Sequence, residues 1–138
     1  MAHTYESLTV GDSYSFSRTI TAKEVELFAE VTGDDNPLHV DPEYAETTSF
    51  GRPIVHGVFL LGLVSKLLGR DFPGHGSIAV SLSARFLRPV PVGEEVTIEV
   101  KVAEKIENRK HIRFRTKGSV QGKMAFSGEA VLIPPTES

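Results

Sequence analysis

The sequence predicts an α+β fold in which an antiparallel sheet curls around one buried helix. Residues 57–68 are apolar on nearly every helical face, which is typical of a helix that is buried on all sides. Four segments in the second half of the chain alternate apolar and polar residues at period two, as strands with one buried face do. Short polar turns between these segments favour hairpins and hence antiparallel neighbours.

The size and composition narrow the class of protein. With 138 residues, the chain is expected to form one domain over residues 1–138. A net charge of −3 provides no general basic field for nucleic acid, and the absence of cysteine excludes disulfides and thiolate catalysis. The first residues lack the pattern of a secretory signal, and the apolar run 54–68 is too short to span a bilayer. We therefore expect a cytoplasmic protein without a membrane or nucleic-acid partner.

The first third of the chain predicts a strand followed by a helix. Residues 14–20 alternate loosely and indicate a short strand. Thr21 and Glu24 have the spacing of a capping box, in which each side chain satisfies a free backbone N–H group at a helix start. Gly33 is suited to end that helix in a left-handed conformation.

A polar stretch then separates two helices. Residues 34–40 are predicted to form a loop, because Asn36 precedes a proline and is disfavoured in a helix. Asp41 followed by proline is typical of a helix start, and it predicts a short helix over residues 42–48. The glycine and proline of residues 51–53 should end this segment.

The central helix and the strands follow. Helix 57–68 is expected to end at Gly69, and Gly62 should let a strand or a ligand approach closely. The predicted strands are residues 77–87, 96–102, 111–119 and 124–133. A small sheet around one helix leaves unpaired edge strands, and pairing two copies would cover them. A homodimer is therefore expected.

The residues of the polar stretch suggest acid–base chemistry. Asp34 and His39 stand within six residues of each other, and His56 and Gly57 follow at the start of the apolar helix. A carboxylate beside an imidazole can hold a water molecule and move its proton near neutral pH. Two structural interpretations remain open. Asp34 could bind backbone groups after the helix end, and His39 could be a hydrogen-bonded histidine at a helix entry.

Residues 28–69 resemble the MaoC-type hot dog domains, specifically the (R)-specific enoyl-CoA hydratases. The resemblance rests on DDNPLH at residues 34–39, on PIVHG at 53–57, and on RFLRPVPVGEEV at 85–96. It implies a hot dog fold, a homodimer and an enzyme of fatty acid metabolism. The implied reaction is the reversible syn hydration of trans-2-enoyl-CoA to (R)-3-hydroxyacyl-CoA, which makes the protein a hydro-lyase.

The resemblance also implies roles for individual residues. Asp34 and His39 would share the acid–base role and hold one water molecule. Gly57 would bind the thioester oxygen through its backbone N–H group, which suits a residue near a helix N-terminus. Ser65 would lie near the catalytic water, although its hydroxyl could equally bond to the carbonyl four residues earlier.

Three further residues are candidates for substrate binding. Asn36 is expected to form the turn and to brace the loop. His56 could line the pocket, or it could pack beneath the helix start and bond to backbone. Arg88 is the preferred partner for the coenzyme A phosphates, because it begins a turn. The other basic candidates are Lys66, Arg85 and Lys123.

No cofactor is expected, since the coenzyme A thioester is the substrate, and no metal site is expected either. The spacing of Asp34, His39 and His56 matches no usual set of metal ligands. The thioester could instead be carried by acyl carrier protein, which would make the protein a 3-hydroxyacyl dehydratase. A hot dog thioesterase would place a carboxylate on the long helix, where residues 58–68 have none. A non-catalytic acyl-CoA-binding domain would have no reason to keep Asp34 and His39 together.

Overall fold

Five strands form one antiparallel sheet in the computed structural model, which describes residues 2–137. The strands are β1 (Ser13–Thr19), β2 (Ile78–Phe86), β3 (Glu95–Ile106), β4 (His111–Val120) and β5 (Lys123–Ile133). Their order across the sheet is β1-β3-β4-β5-β2. Hairpins join β3 to β4 and β4 to β5, as predicted, but β2 and β3 are not neighbours. The expectation of hairpin turns throughout the second half was therefore wrong at this connection.

The sheet supplies most of the buried core. The inward residues of β3 are Val96, Ile98, Val100 and Val102, each with at most 1% of its surface exposed. Ile112, Phe114 and Thr116 on β4 are also buried. The alternation predicted for these two strands is confirmed. It arises because successive side chains of a strand point to opposite faces, and only one face packs against the helices.

The helices lie between β1 and β2 in the chain. They are α1 (Ala22–Thr32), α2 (Pro37–Val40), α3 (Pro42–Glu46) and α4 (Gly57–Lys66). The capping box of α1 is confirmed, with the Thr21 hydroxyl accepting from the Glu24 N–H and the Glu24 carboxylate accepting from the Thr21 N–H. Gly33 ends α1 with a φ of 83°, as predicted. Among residues 2–137, no helix combines the length and apolar character needed to cross a membrane.

Helix α2 corrects the prediction of a loop over residues 34–40. Asn36 is non-helical, with a ψ of 123°, as a residue before proline should be, and its side-chain oxygen accepts a hydrogen bond from the Leu38 N–H at 3.1 Å. Pro37 then occupies the first helical position, where its fixed φ suits a helix. The same dipeptide that excludes a helix at Asn36 thus begins one immediately afterwards. Asp41 caps α3 in the predicted way, although α3 ends at Glu46.

Helix α4 is not buried on all sides of the single chain. Leu60, Leu63 and Val64 face the core, whereas Val58 is 64% exposed and Ser65 is also exposed. Gly62 is exposed as well, with no atom within 4 Å of the position that a Cβ would occupy. The close approach predicted there is therefore absent from residues 2–137.

The helix also continues past Gly69, where it was predicted to end. A π-helical turn, Leu67–Asp71, follows α4 directly and closes with a hydrogen bond from the Phe72 N–H to the Leu67 carbonyl at 2.8 Å. The wider turn accompanies the burial of two successive side chains, Leu67 and Leu68. Their burial against the core favours continuation of the helix through the glycine.

Strand β2 forms one edge of the sheet, and several of the apolar side chains that alternate along it are largely exposed. Ile78, Val80 and Phe86 are 60%, 51% and 51% exposed. An irregularity between Ala79 and Ser81 shifts the register of β2 against β5. The prediction of one apolar face along β2 is wrong across this irregularity. Ile78 pairs with the exposed Ile133, whereas Leu82 pairs with the buried Ala130, so Ile78 and Leu82 lie on opposite faces of the sheet.

Candidate active site

The ends of three helices bring Asp34, His39 and His56 together. Asp34 follows the end of α1, His39 lies on α2, and His56 is the residue that precedes α4. A carboxylate oxygen of Asp34 and one ring nitrogen of each histidine lie within 4.8 Å of one another. The structure therefore places the predicted acid–base pair in one cluster and adds His56 to it.

The tautomer of His39 follows from its hydrogen bond. Its Nδ1 atom lies 2.7 Å from the backbone carbonyl of Ile54. A carbonyl oxygen only accepts hydrogen bonds, so Nδ1 carries the proton and donates it. In the neutral ring, Nε2 is then unprotonated and can accept a proton from water. The bond expected of a structural histidine thus also prepares His39 to act as a base.

Asp34 is exposed, and little of its carboxylate is used within the chain. One carboxylate oxygen accepts a long hydrogen bond, 3.4 Å, from the Asn36 N–H. An ionised carboxylate offers about four acceptor sites, so most of them are free to bind water or substrate. Within residues 2–137, this contact is the one that agrees with the interpretation of Asp34 as a residue that binds backbone groups after the helix end.

His56 is buried and touches both members of the pair. Its Nε2 atom lies 3.0 Å from the backbone carbonyl of Asp34, so Nε2 carries the proton and donates it. Its ring stacks on the His39 ring with the centroids 3.9 Å apart. It is 2% exposed, and it is not among the residues that line the cavity beside His39 and Gly57. The interpretation of His56 as a residue beneath the helix start, bonded to backbone, agrees with these contacts.

Gly57 is the first residue of α4, where helix N–H groups have no partner within the helix. A Cβ at this position would lie 2.7 Å from the ring of Phe86 on β2. Glycine is therefore needed for the close packing of the helix start against β2. The same position suits an N–H group that binds a partially negative oxygen, because the helix dipole is positive there.

A cavity of about 470 Å³ opens beside His39 and Gly57. Its walls are mainly apolar, and the exposed side chain of Arg88 lies at its rim. The lining residues are His39, Phe50, Ile54, Val55, Gly57, Val58, Leu60, Phe86, Leu87, Arg88, Pro89 and Val90. Sequence reasoning missed Phe50 and Phe86 as cavity residues. Phe86 falls within the predicted strand 77–87, whose alternating pattern was the available signal, and no pattern marks Phe50.

The remaining predicted substrate residues lie in other surroundings. Ser65 lines a separate small cavity, about 50 Å³, between the end of α4 and β2. Asn36 is occupied in capping α2, which agrees with its predicted bracing role but directs its oxygen to backbone. The guanidinium of Arg88 donates to the Met124 carbonyl at 2.9 Å. Substrate binding by Ser65 and Asn36 remains a prediction that no contact within residues 2–137 supports.

The other basic candidates lie away from the cavity beside His39. Lys66 forms an ion pair with Asp71 at 2.7 Å and lies over the Phe16 ring. Arg85 lines a different cavity, about 590 Å³, among charged side chains of the sheet. Arg88 is therefore the one of these candidates that the structure places at the cavity beside His39 and Gly57.

Comparison with known proteins identifies the family. The model of the MaoC like domain matches residues 6–124. The (R)-specific enoyl-CoA hydratase of Aeromonas caviae is 46% identical over 94% of this chain and 98% of its own length. The enzyme of the same name from Rhodospirillum rubrum is 39% identical over 96% of this chain and 92% of its own.

Solved structures agree with the sequence relatives. The unliganded R-hydratase PhaJ1 from Pseudomonas aeruginosa has a TM-score of 0.94 at 36% identity, covering 99% of this chain and 88% of that one. The (R)-hydratase from A. caviae has a TM-score of 0.92 at 46% identity, covering 94% and 99%. The fold is therefore the hot dog fold, and the chain belongs to the family of MaoC-like domains.

Proposed function

We propose that the protein is an (R)-specific hydratase that interconverts trans-2-enoyl-CoA and (R)-3-hydroxyacyl-CoA. The observation that carries the proposal is the His39 ring, whose Nδ1 bond to a backbone carbonyl leaves Nε2 unprotonated, in a residue that clusters with Asp34 and lines an apolar cavity. The names of the relatives from A. caviae and R. rubrum support the same reaction. The relative from Methylorubrum extorquens, 37% identical, is a 3-hydroxybutyryl-CoA dehydratase, which runs the reaction in the opposite direction.

Asp34 and His39 share one water molecule in the proposed mechanism. The proposed water would lie between the Asp34 carboxylate and Nε2 of His39, with a hydrogen bond of about 2.8 Å to each group. One of the two groups takes a proton from the water, whose oxygen bonds to the β-carbon. The α-carbon then receives a proton from the pair. Because the hydroxyl and the proton come from the same side, the addition is syn.

The thioester oxygen gains negative charge as the α-carbon becomes an enolate, and this charge needs a hydrogen-bond donor. The backbone N–H of Gly57 is the proposed donor. It is supported by its place in the first turn of α4, where the helix dipole also favours negative charge. The packing of Phe86 against Gly57 would keep the oxygen close to the N–H and away from bulk water.

The acyl chain is proposed to occupy the apolar cavity. The walls contributed by Phe50, Val58 and Leu60 suit a hydrocarbon chain, and Arg88 at the rim suits a phosphate of coenzyme A. The volume of about 470 Å³ lies within the usual range for small-molecule sites, about 300–1,000 Å³. The proposed reaction needs neither a metal nor a cofactor, since the transformation consists of proton transfers and the addition of water.

A homodimer is proposed from two exposed apolar surfaces. The edge strand β2 presents unpaired backbone groups together with Ile78 and Val80, and α4 presents Val58. An exposed apolar edge strand readily pairs with another strand. Pairing of β2 with β2 of a second copy would satisfy those groups and would cover the apolar side chains.

A 3-hydroxyacyl carrier-protein dehydratase is the second candidate. A relative from Arabidopsis thaliana, 31% identical over 93% of this chain and 78% of its own length, is a mitochondrial 3-hydroxyacyl-[acyl-carrier-protein] dehydratase. The chemistry at Asp34 and His39 would be the same, and only the carrier would differ. A thioesterase receives less support, because α4 has no carboxylate and Asp71 in the π-helical turn is paired with Lys66.

The experiment is a hydration assay on crotonyl-CoA. The loss of absorbance from the conjugated thioester is followed together with a thiol reagent and chiral analysis of the product. We expect the absorbance to fall without release of thiol and to give the (R)-alcohol. Release of thiol would indicate a thioesterase. A parallel assay on crotonyl carrier protein separates the two carriers, and faster turnover of the carrier-protein substrate would favour the second candidate.

A further inference from the structure

We propose that His56 is a positioning residue that sets the geometry of the Asp34–His39 pair without contacting the substrate. The inference rests on the proposed hydratase function and assigns His56 a role in that reaction. Two contacts carry it: the hydrogen bond from Nε2 to the Asp34 carbonyl and the stacking of the two imidazole rings.

The hydrogen bond ties the loop that carries Asp34 to the start of α4. Asp34 itself is exposed and lies outside any helix or strand. Its other contacts come from neighbouring residues, namely the Thr32 hydroxyl at 3.1 Å and the Asn36 N–H at 3.4 Å. The bond from His56 spans 22 residues and therefore fixes Asp34 relative to the helix whose first N–H group is proposed to hold the thioester.

The stacking contact restrains His39 from a second direction. One edge of the His39 ring is held by the Ile54 carbonyl, and the face of the ring is covered by His56 at 3.9 Å. These two restraints together fix the plane of the ring and the direction of its Nε2 lone pair. Substrate-facing atoms must be held closely, because a small displacement reduces the rate steeply.

Stability alone does not explain a histidine at position 56. The second ring nitrogen, Nδ1, is buried and has no hydrogen-bond partner among residues 2–137. The Phe28 ring lies 4.6 Å from the His56 ring and packs in turn against Phe59 at 5.0 Å, so the surroundings are partly aromatic. An unsatisfied buried polar atom destabilises the fold, whereas a phenyl ring in the same place would not. The other ring nitrogen, Nε2, donates to the backbone carbonyl of Asp34.

The test compares His56→Phe, which keeps an aromatic ring for stacking, with His56→Gln, which keeps a donor near the Nε2 position. Crotonyl-CoA hydration gives kcat and KM, and thermal unfolding gives Tm. We expect His56→Phe to keep or raise Tm, to leave KM within about threefold, and to lower kcat about 10- to 100-fold, as a displacement of reactive groups by up to about 1 Å can do. His56→Gln should recover a large part of the lost kcat.

Several outcomes would overturn the inference. An unchanged kcat in His56→Phe would remove the positioning role, and a parallel fall of kcat and Tm would indicate a purely structural role. If His56→Gln has the same low kcat as His56→Phe, the hydrogen bond does not contribute to positioning. The bond is also checked without turnover, by nitrogen-15 NMR of the His56 ring, for which we expect the proton on Nε2. A proton on Nδ1 would contradict the inference, whereas an inactive wild-type enzyme with the Nε2 proton would contradict only the proposed function.

Discussion

At the scale of single residues, the site depends on where two imidazole protons lie. Both histidines of the cluster donate to backbone carbonyls, His39 through Nδ1 and His56 through Nε2. The backbone therefore decides which ring nitrogen is free. In His39 the free atom is Nε2, and it can exchange a proton with the proposed water. In His56 the free atom, Nδ1, is buried, so within this stacked pair only His39 is proposed to exchange a proton with water.

The sequence predicted Asp34, His39 and Gly57 as site residues because their motif is specific. In the structure Asp34 lies beside His39, and His39 and Gly57 line one cavity. The supporting contacts were not predictable in the same way. The bond from His56 to the Asp34 carbonyl joins two segments that only the tertiary fold brings together. Ser65 shows the converse case, since its place on α4 was predicted but its neighbours depend on packing beyond its own helix.

Gly57 offers a prediction at this scale. Gly57→Ala places a Cβ 2.7 Å from the Phe86 ring, so either the ring or the helix start must move. We expect kcat/KM for crotonyl-CoA to fall about 100-fold, as a displacement of about 1 Å can cause. The double variant Gly57→Ala, Phe86→Leu should recover part of the loss because the smaller side chain makes room. A single variant with wild-type kcat/KM would contradict the role of the Gly57 N–H.

At the scale of secondary structure, short polar segments were harder to predict than long apolar ones. The predicted segments 96–102 and 111–119 lie within β3 and β4, because a period-two pattern over seven to nine residues has few alternatives, although β3 continues to Ile106. Helix α2 was missed, since one turn has no periodicity and depends on the cap at Asn36. The exposed face of α4 was also missed. A face that a second copy would cover has the same apolar pattern as a face that the chain covers itself.

The cap of α2 gives the prediction for this scale. Asn36→Ala removes the acceptor for the Leu38 N–H, and the loss of a helix cap costs about 1 kcal/mol. For a chain of this size we expect Tm to fall by roughly 3–4 °C. Because α2 carries His39, kcat should also fall. Asn108→Ala, at an exposed turn between β3 and β4, is the matched control and should change neither quantity. Equal effects of the two substitutions would refute the capping role.

At the scale of the whole molecule, the two sheet edges differ. Strand β1 exposes one large apolar side chain, Tyr14, among serine, arginine and threonine residues, whereas β2 exposes Ile78, Val80 and Phe86. Apolar edges tend to associate, and polar or charged edges resist association. This difference is the basis for proposing that two copies pair through β2. The sequence predicted that the sheet has unpaired edge strands. Which strands form the edges depends on the strand order, which was not predicted from the sequence.

The proposed dimer predicts a change of mass in solution. Val80→Lys places a charge on the β2 edge and should convert the dimer to a monomer in light scattering, since burying an unpaired charge is costly. Ser15→Lys places the same charge on the exposed surface of β1, at the opposite edge, and should leave the dimer intact. A monomeric wild-type protein, or a dimer that only Ser15→Lys disrupts, would contradict pairing through β2.

The central claim is that Asp34 and His39 together activate the water that adds to the enoyl thioester. Its most direct test is the kcat of Asp34→Asn on crotonyl-CoA, compared with Asp35→Asn, the neighbouring exposed carboxylate. Removing a catalytic acid–base group should lower kcat by about 10²–10⁴-fold, whereas Asp35→Asn should stay within about threefold of wild type. Both variants should retain the wild-type Tm within a few degrees, because the Asp34 carboxylate makes a single long hydrogen bond within residues 2–137. Near-normal turnover by a folded Asp34→Asn enzyme would contradict the proposed mechanism.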